Sequence, residues 1–129
     1  MPLNACGAVV PCMNLFAYGT LMFPEVWARA AREECASRSA ELHGYEARRL
    51  SGVTFPGLIE APGITTPGLV YLNVSPEAMV RLDAYEDDFY DRIPVTVELE
   101  NGQTMEAQVY LISPEHRFMV LPERWQPPQ

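Results

Sequence analysis

The hydrophobic positions of this chain change period several times, and each change marks an element. Asn14–Tyr18 (NLFAY) is a short apolar run closed by Gly19 and Thr20, the pattern of a buried strand running into a turn. Pro24 and Glu25 then form a helix start. Proline at the first helical position lacks only a donor that would be unpaired anyway, and an acid suits the positive end of the helix dipole. Val26, Trp27, Ala30, Ala31 and Glu34 follow at helical spacing, which predicts a helix over Pro24–Glu34. Ser39–Leu50 reads as extended, with Gly44 marking a bulge or bend. Phe55–Ile59 and Ala61-Pro62-Gly63 read as loop punctuation around a short apolar strand, and Gly68–Asn73 (GLVYLN) as a separate strand. Ser75-Pro76-Glu77 supplies an N-cap, an N1 proline and a first-turn acid, so a second helix should run from here to about Glu86. Met79, Leu82 and Tyr85 give it an apolar face. Pro94–Leu99 and Thr104–Ile112 flank Asn101-Gly102, which predicts a hairpin with a type I′ turn. From Pro114 onward the proline-rich, aromatic tail is expected to pack irregularly, with Trp125 available to a neighbouring copy.

The order strand, helix, several strands, helix, hairpin sets the fold class. Two isolated helices cannot cover both faces of a wide parallel sheet, so an α+β fold is expected, a mixed, mostly antiparallel, barrel-like sheet with two main flanking helices. A chain of 129 residues fills one domain, assigned to 13–129, after an extension at 1–12 expected to be disordered. That extension (MPLNACGAVVPC) lacks the basic start of a signal peptide and is too short and interrupted to span a bilayer. A formal charge of −8 repels phosphate backbones and anionic lipid, so neither nucleic acid nor membrane is an expected partner. The three cysteines, Cys6, Cys12 and Cys35, cannot all pair within the chain. None has metal-ligand spacing, and His43 and His116 are the sole histidines. The expectation is a reduced cytoplasmic protein, a monomer or weak homo-oligomer.

Two segments carry candidate chemistry. Tyr18-Gly19-Thr20-Leu21 leaves the first strand at a glycine, where successive peptide N–H groups can point into one concavity and hold a carboxylate or an oxyanion. Leu82–Arg92 places five acids among eleven residues, starting in the last turn of a helix, where negative charge opposes the dipole. Asp83, Glu86, Asp87 and Asp88 lack the alternating ligands and glycine of a calcium loop. Taken singly, the first segment is an ordinary turn and the second a solvated acidic run.

Together they say more. YGTL after the first strand, followed 68 positions later by Glu86 in L-D-x-Y-E-x-x-x-Y-x-R, resembles the γ-glutamylcyclotransferase-like family, within it the AIG2-like and γ-glutamylamine cyclotransferase branch. Phe55-Pro56-Gly57, Gly68-Leu69-Val70-Tyr71 and Val109-Tyr110 fit the same pattern, so the likeness covers about 13–112. The resemblance implies a cavity at the YGTL loop. It implies that Tyr18, Gly19, Thr20 and Leu21 bind substrate, with Tyr110 in the pocket wall, and that Glu86 is the catalytic acid/base. Tyr90 and Arg92 match as supports. Asp87 departs from the glycine frequent at that position. The implied reaction is an intramolecular aminoacyl transfer of the acyltransferase or lyase type: the α-amine of a γ-glutamyl compound attacks its own γ-carbonyl, releasing 5-oxoproline and an amine or amino acid. It needs no metal and no organic cofactor. The alternative is a non-catalytic small-molecule binding protein that uses the same cavity.

Overall fold

In the computed structural model, which describes residues 11–126, strand β1 (Met13–Ala17) is buried on both faces. That is why its sequence reads as a continuous apolar run. Phe16, with Tyr18 just beyond the strand, packs into a core inside the sheet, while Leu15 and Ala17 pack into a second core beneath the helices. Pro11 and Cys12 precede β1 without regular structure. The remainder of the expected extension 1–12 lies outside the described residues.

Helix α1 (Pro24–Ala31) starts at the expected proline but ends three residues before Glu34, with Arg32 in the left-handed region at φ 55°. The early stop has a tertiary cause. It turns Glu33 so that its carbonyl accepts the Trp27 Nε1–H at 3.0 Å and its carboxylate accepts the Ser75 N–H at 2.9 Å and the Ser75 hydroxyl at 2.5 Å. Ser75 in turn accepts the N–H of Ala78 and caps helix α2 (Pro76–Glu86), as its sequence signature predicts. Arg81 donates to the Ala31 carbonyl at 2.8 Å and closes the clamp between the helices.

β2 (Ser37–Leu50) pairs antiparallel with β3 (Pro56–Val74) along almost its whole length. The expected break inside β3 is therefore a bulge and not a loop. Between the pairs His43↔Thr65 and Tyr45↔Glu60, β2 advances two residues and β3 five. Pro62 and Gly63 (φ +85°) lie in the surplus, across from Gly44 (φ +89°). Proline and glycine interrupt local pairing there, but the partner strand carries the ladder through. At Gly68 a Cβ would lie 2.3 Å from the Ala17 carbonyl oxygen, so only glycine allows β3 to approach β1 this closely.

β4 (Tyr90–Leu99) and β5 (Thr104–Ile112) form the expected hairpin, with Val95, Val97 and Leu99 alternately buried. The turn is not type I′. Gly102 alone takes positive φ, its N–H donates to Leu99 O at 2.9 Å, and Leu99 N–H donates to Gln103 O at 2.8 Å. This is a three-residue loop closed by a glycine bulge, which Asn-Gly supports equally well. β5 also runs parallel beside β1.

The strand order β3-β1-β5-β4-β2, with β2 returning to β3, closes a five-stranded barrel-like sheet. The expected α+β class, with two main helices against a mixed and mostly antiparallel sheet, is what forms. The tail corrects its expectation. A 3₁₀ turn (Pro114–Met119) leads into β6 (Val120–Arg124), which adds to the edge of β2. Trp125 is buried within its own chain, donating its Nε1–H to Thr54 O at 3.0 Å and its backbone N–H to Ala47 O at 2.9 Å. No helix among the described residues is long and apolar enough to cross a membrane.

Candidate active site

The exit of β1 forms one wall of a cavity of about 270 Å³. Gly19 is required there because a Cβ would come within 2.8 Å of the Pro56 ring. The first bond of the following 3₁₀ turn (Thr20–Met22) runs from Met22 N–H to Gly19 O at 3.0 Å. The N–H groups of Thr20 and Leu21 precede that ladder and have no partner within it. Tyr18, Gly19, Thr20 and Leu21 all line the cavity. Leu21 is fixed from behind, since its carbonyl accepts the Tyr71 hydroxyl at 2.8 Å, and Tyr71 stacks on Trp27 at 3.7 Å.

Helix α2 brings Glu86 to the opposite wall. Met79 and Leu82 are buried beneath the helix, and Glu86, seven residues after Met79, continues their stripe towards the barrel. Tyr85, expected on the buried face, is 48% exposed and reaches the cavity edge instead. A series spaced by three residues falls about 60° short of a full turn at each step, so 79, 82, 85 drifts off the stripe that Glu86 rejoins. Burial pushes the Glu86 carboxyl up to about 7. No other carboxylate lines this cavity among the described residues.

Three tyrosines surround it. Tyr18, Tyr90 and Tyr110 are each raised above their ordinary value, first by burial and further by the negative charge of Glu86 nearby. All three stay protonated and act as donors. Tyr18 Oη donates to the Tyr110 carbonyl at 2.6 Å, Tyr90 Oη to the Pro56 carbonyl at 2.5 Å and Tyr110 Oη to Asp83 Oδ1 at 2.7 Å. Arg92 holds Asp83 through two bonds at 2.8 and 3.1 Å and also reaches Gln108 at 3.1 Å. Of the two expected supports, Tyr90 lines the cavity, whereas Arg92 stands behind it and braces Asp83. The structure thus brings Tyr18–Leu21, Tyr90, Tyr110 and Glu86 together.

Sequence reading missed Phe55, Pro56 and Phe89 as wall residues and Asp83 as the anchor of Tyr110. Asp83 belongs to the L-D-x-Y-E run, but only the fold shows that it faces Arg92 and Tyr110. Among the described residues, the one acid and histidine cluster close enough to share an ion is Glu41, His43 and Glu98 on the outside of the barrel. There His43 already bonds Thr65 at 2.8 Å and Glu98 at 2.7 Å. Cys35 is no reactive thiol: burial and the adjacent Glu33 push it up to about 12.

The profile of a family described as gamma-glutamyl cyclotransferase, AIG2-like, matches residues 15–127. Protein AIG2 C of Arabidopsis thaliana is 27% identical over 99 residues, 76% of this chain and 60% of that protein. The chain thus spans about 60% of the length of the first curated relatives it matches. Among solved structures, an Arabidopsis thaliana protein determined in solution superposes with a TM-score of 0.73 at 25% identity, covering 84% of this chain and 76% of its own. A gamma-glutamyl cyclotransferase superposes with a TM-score of 0.69 at 20% identity, covering 78% of this chain and 66% of its own, a likeness that carries the fold.

Proposed function

The chain belongs to the gamma-glutamyl cyclotransferase, AIG2-like family, and on that premise we propose that its cavity cyclises a γ-glutamyl compound, releasing 5-oxoproline and an amine or amino acid, with Glu86 as the acid/base. The single observation that carries this reading is the presence, in the lining of one small cavity, of a part-buried carboxylate raised to about 7 and of a loop whose Thr20 and Leu21 N–H groups precede the 3₁₀ ladder.

The α-ammonium of the substrate cannot attack until it loses a proton. A carboxylate held near neutrality accepts that proton at working pH and can return it, which an exposed glutamate does poorly. Nucleophile and electrophile are tethered in one molecule, so the protein's first task is to fold the glutamyl arm into a reactive conformer. The walls of Tyr18, Tyr90 and Tyr110 confine it. The N–H groups of Thr20 and Leu21 would hold the substrate carboxylate or the oxygen of the tetrahedral intermediate. The new C–N bond closes the five-membered lactam, the old C–N bond breaks, and Glu86 delivers the proton to the departing nitrogen.

Glu86→Gln tests this. It keeps the shape of the cavity and removes the base, so 5-oxoproline release from γ-glutamyl substrates should fall by about 10³-fold, within the range general acid–base catalysis supplies. Activity equal to the parent protein would remove Glu86 from the mechanism.

A further inference from the structure

The outer face of the barrel carries a second constellation of ligating side chains, at the seam where β2 meets β4. Ala40↔Leu99 and Glu41↔Glu98 are the register pairs that join these strands, a much shorter ladder than the one between β4 and β5. Ala40, Leu42, Val97 and Leu99 are buried, so the alternation of each strand sends Glu41, His43 and Glu98 outwards. Two carboxylates directly opposite each other repel and weaken a ladder. Glu41 has no ion pair among the described residues. Arg38 and Arg48 of the same strand are engaged by Glu100 and Glu46.

His43 shares this face. Its Nε2 lies 2.7 Å from Glu98 Oε1, and its Nδ1 lies 2.8 Å from Oγ1 of Thr65, the residue paired with it on β3. With Nδ1–H donated to Thr65, Nε2 turns its lone pair towards the carboxylates, the tautomer that ligates a metal. One ligand atom from each of Glu41, His43 and Glu98 lies within 4.8 Å of the others. Zinc bonds of about 2.0–2.2 Å place tetrahedral ligands roughly 3.4 Å apart, so small rotations of these exposed side chains seat an ion.

We propose that Glu41, His43 and Glu98 bind one divalent transition-metal ion such as zinc, which neutralises the facing carboxylates and staples β2 to β4. One imidazole with two carboxylates favours such an ion over calcium or magnesium, which take oxygen ligands. A net charge of −8 draws cations to the surface. None of the three ligands lines the cavity that holds Glu86, so the site stands or falls separately from the cyclotransferase reading.

Calorimetric titration of the parent protein with zinc chloride near neutral pH should show saturable binding. His43→Ala and Glu98→Gln should each weaken it by about tenfold or more, and Thr65→Val by about tenfold through the loosened imidazole. Calcium chloride should bind at least about tenfold more weakly than zinc. At saturating zinc the thermal midpoint of the parent protein should rise by about 5 °C or more, and that of His43→Ala should not. Zinc held elsewhere, by a cysteine for example, is common to parent and variant and cancels from the comparison. Identical titrations of the parent protein and His43→Ala, or calcium binding as tightly as zinc, overturn the site. A midpoint that zinc leaves unmoved, or moves equally in both proteins, overturns the staple.

Discussion

Glu86 has two properties that come from one cause. Burial that holds its carboxyl near 7 makes it a usable base and also makes it a site of instability. The folded value lies above the ordinary 4.5, so the native chain binds this proton more tightly than the unfolded chain does. Its contribution is fully present below about 4.5, is lost as pH rises from there to about 7, and is level above that. The difference amounts to about 3 kcal/mol. In thermal denaturation Glu86→Gln should therefore lack this slope and be more stable than the parent protein at pH 8, although its activity is about 10³-fold lower. The acidic limb of kcat/KM should rise through about 7 in the parent protein and be absent from the variant. The motif alone placed Glu86 in the chain. Its altered acidity comes from burial in a cavity that it shares with Tyr18, Tyr90 and Tyr110, which sequence spacing does not show to be neighbours.

Among the elements, helix α2 was the most legible. Ser75-Pro76-Glu77 announced its start, and the cap forms as written. What the sequence did not show is the partner of that cap. Glu33 follows a different helix, and 42 positions along the chain separate it from Ser75. Burial raises the Glu33 carboxyl, but the hydrogen bonds from Ser75 and Cys35 and the charge of Arg81 together lower it, a sign that the clamp holds a carboxylate. Ser75→Ala removes the N-cap and one arm of the clamp. It should cost about 1–2 kcal/mol of stability, measured by denaturant unfolding. Because α2 carries Glu86, kcat should fall with it, and KM less so. β3 teaches the opposite lesson. Its prolines and glycines are local signals for loops, yet pairing with β2 carries one strand from Pro56 to Val74. Long-range pairing overrides local punctuation when the partner strand is continuous.

At the scale of the whole molecule, the interior of the barrel is completed by a segment whose sequence carries no period. β6 borders β2, and Trp125 packs in the interior cluster with Phe16, Tyr18, Leu58 and Val97. Trp125→Ala should destabilise the fold by about 3 kcal/mol, as other buried aromatic truncations do, read as a lowered midpoint in urea. Since Tyr18 belongs to the same cluster, the variant should also loosen the cavity and raise KM. The tail was illegible because its prolines and exposed polar residues carry no period. Its strand exists only because β2 offers an unpaired edge.

The sequence by itself determined the local matters: where α1 and α2 begin, which runs are buried, where the β4–β5 hairpin turns, and the two motifs whose spacing resembles a known family. These follow from capping, periodicity and turn chemistry, which act over a few residues. The tertiary structure alone decided how the motifs meet. It brought the YGTL loop and Glu86 into one cavity, set Asp83 behind Tyr110 and joined two expected strands into one. Each depends on contacts between residues far apart in the chain, and no local pattern records which distant surface will supply the hydrogen bond, the burial or the opposing charge.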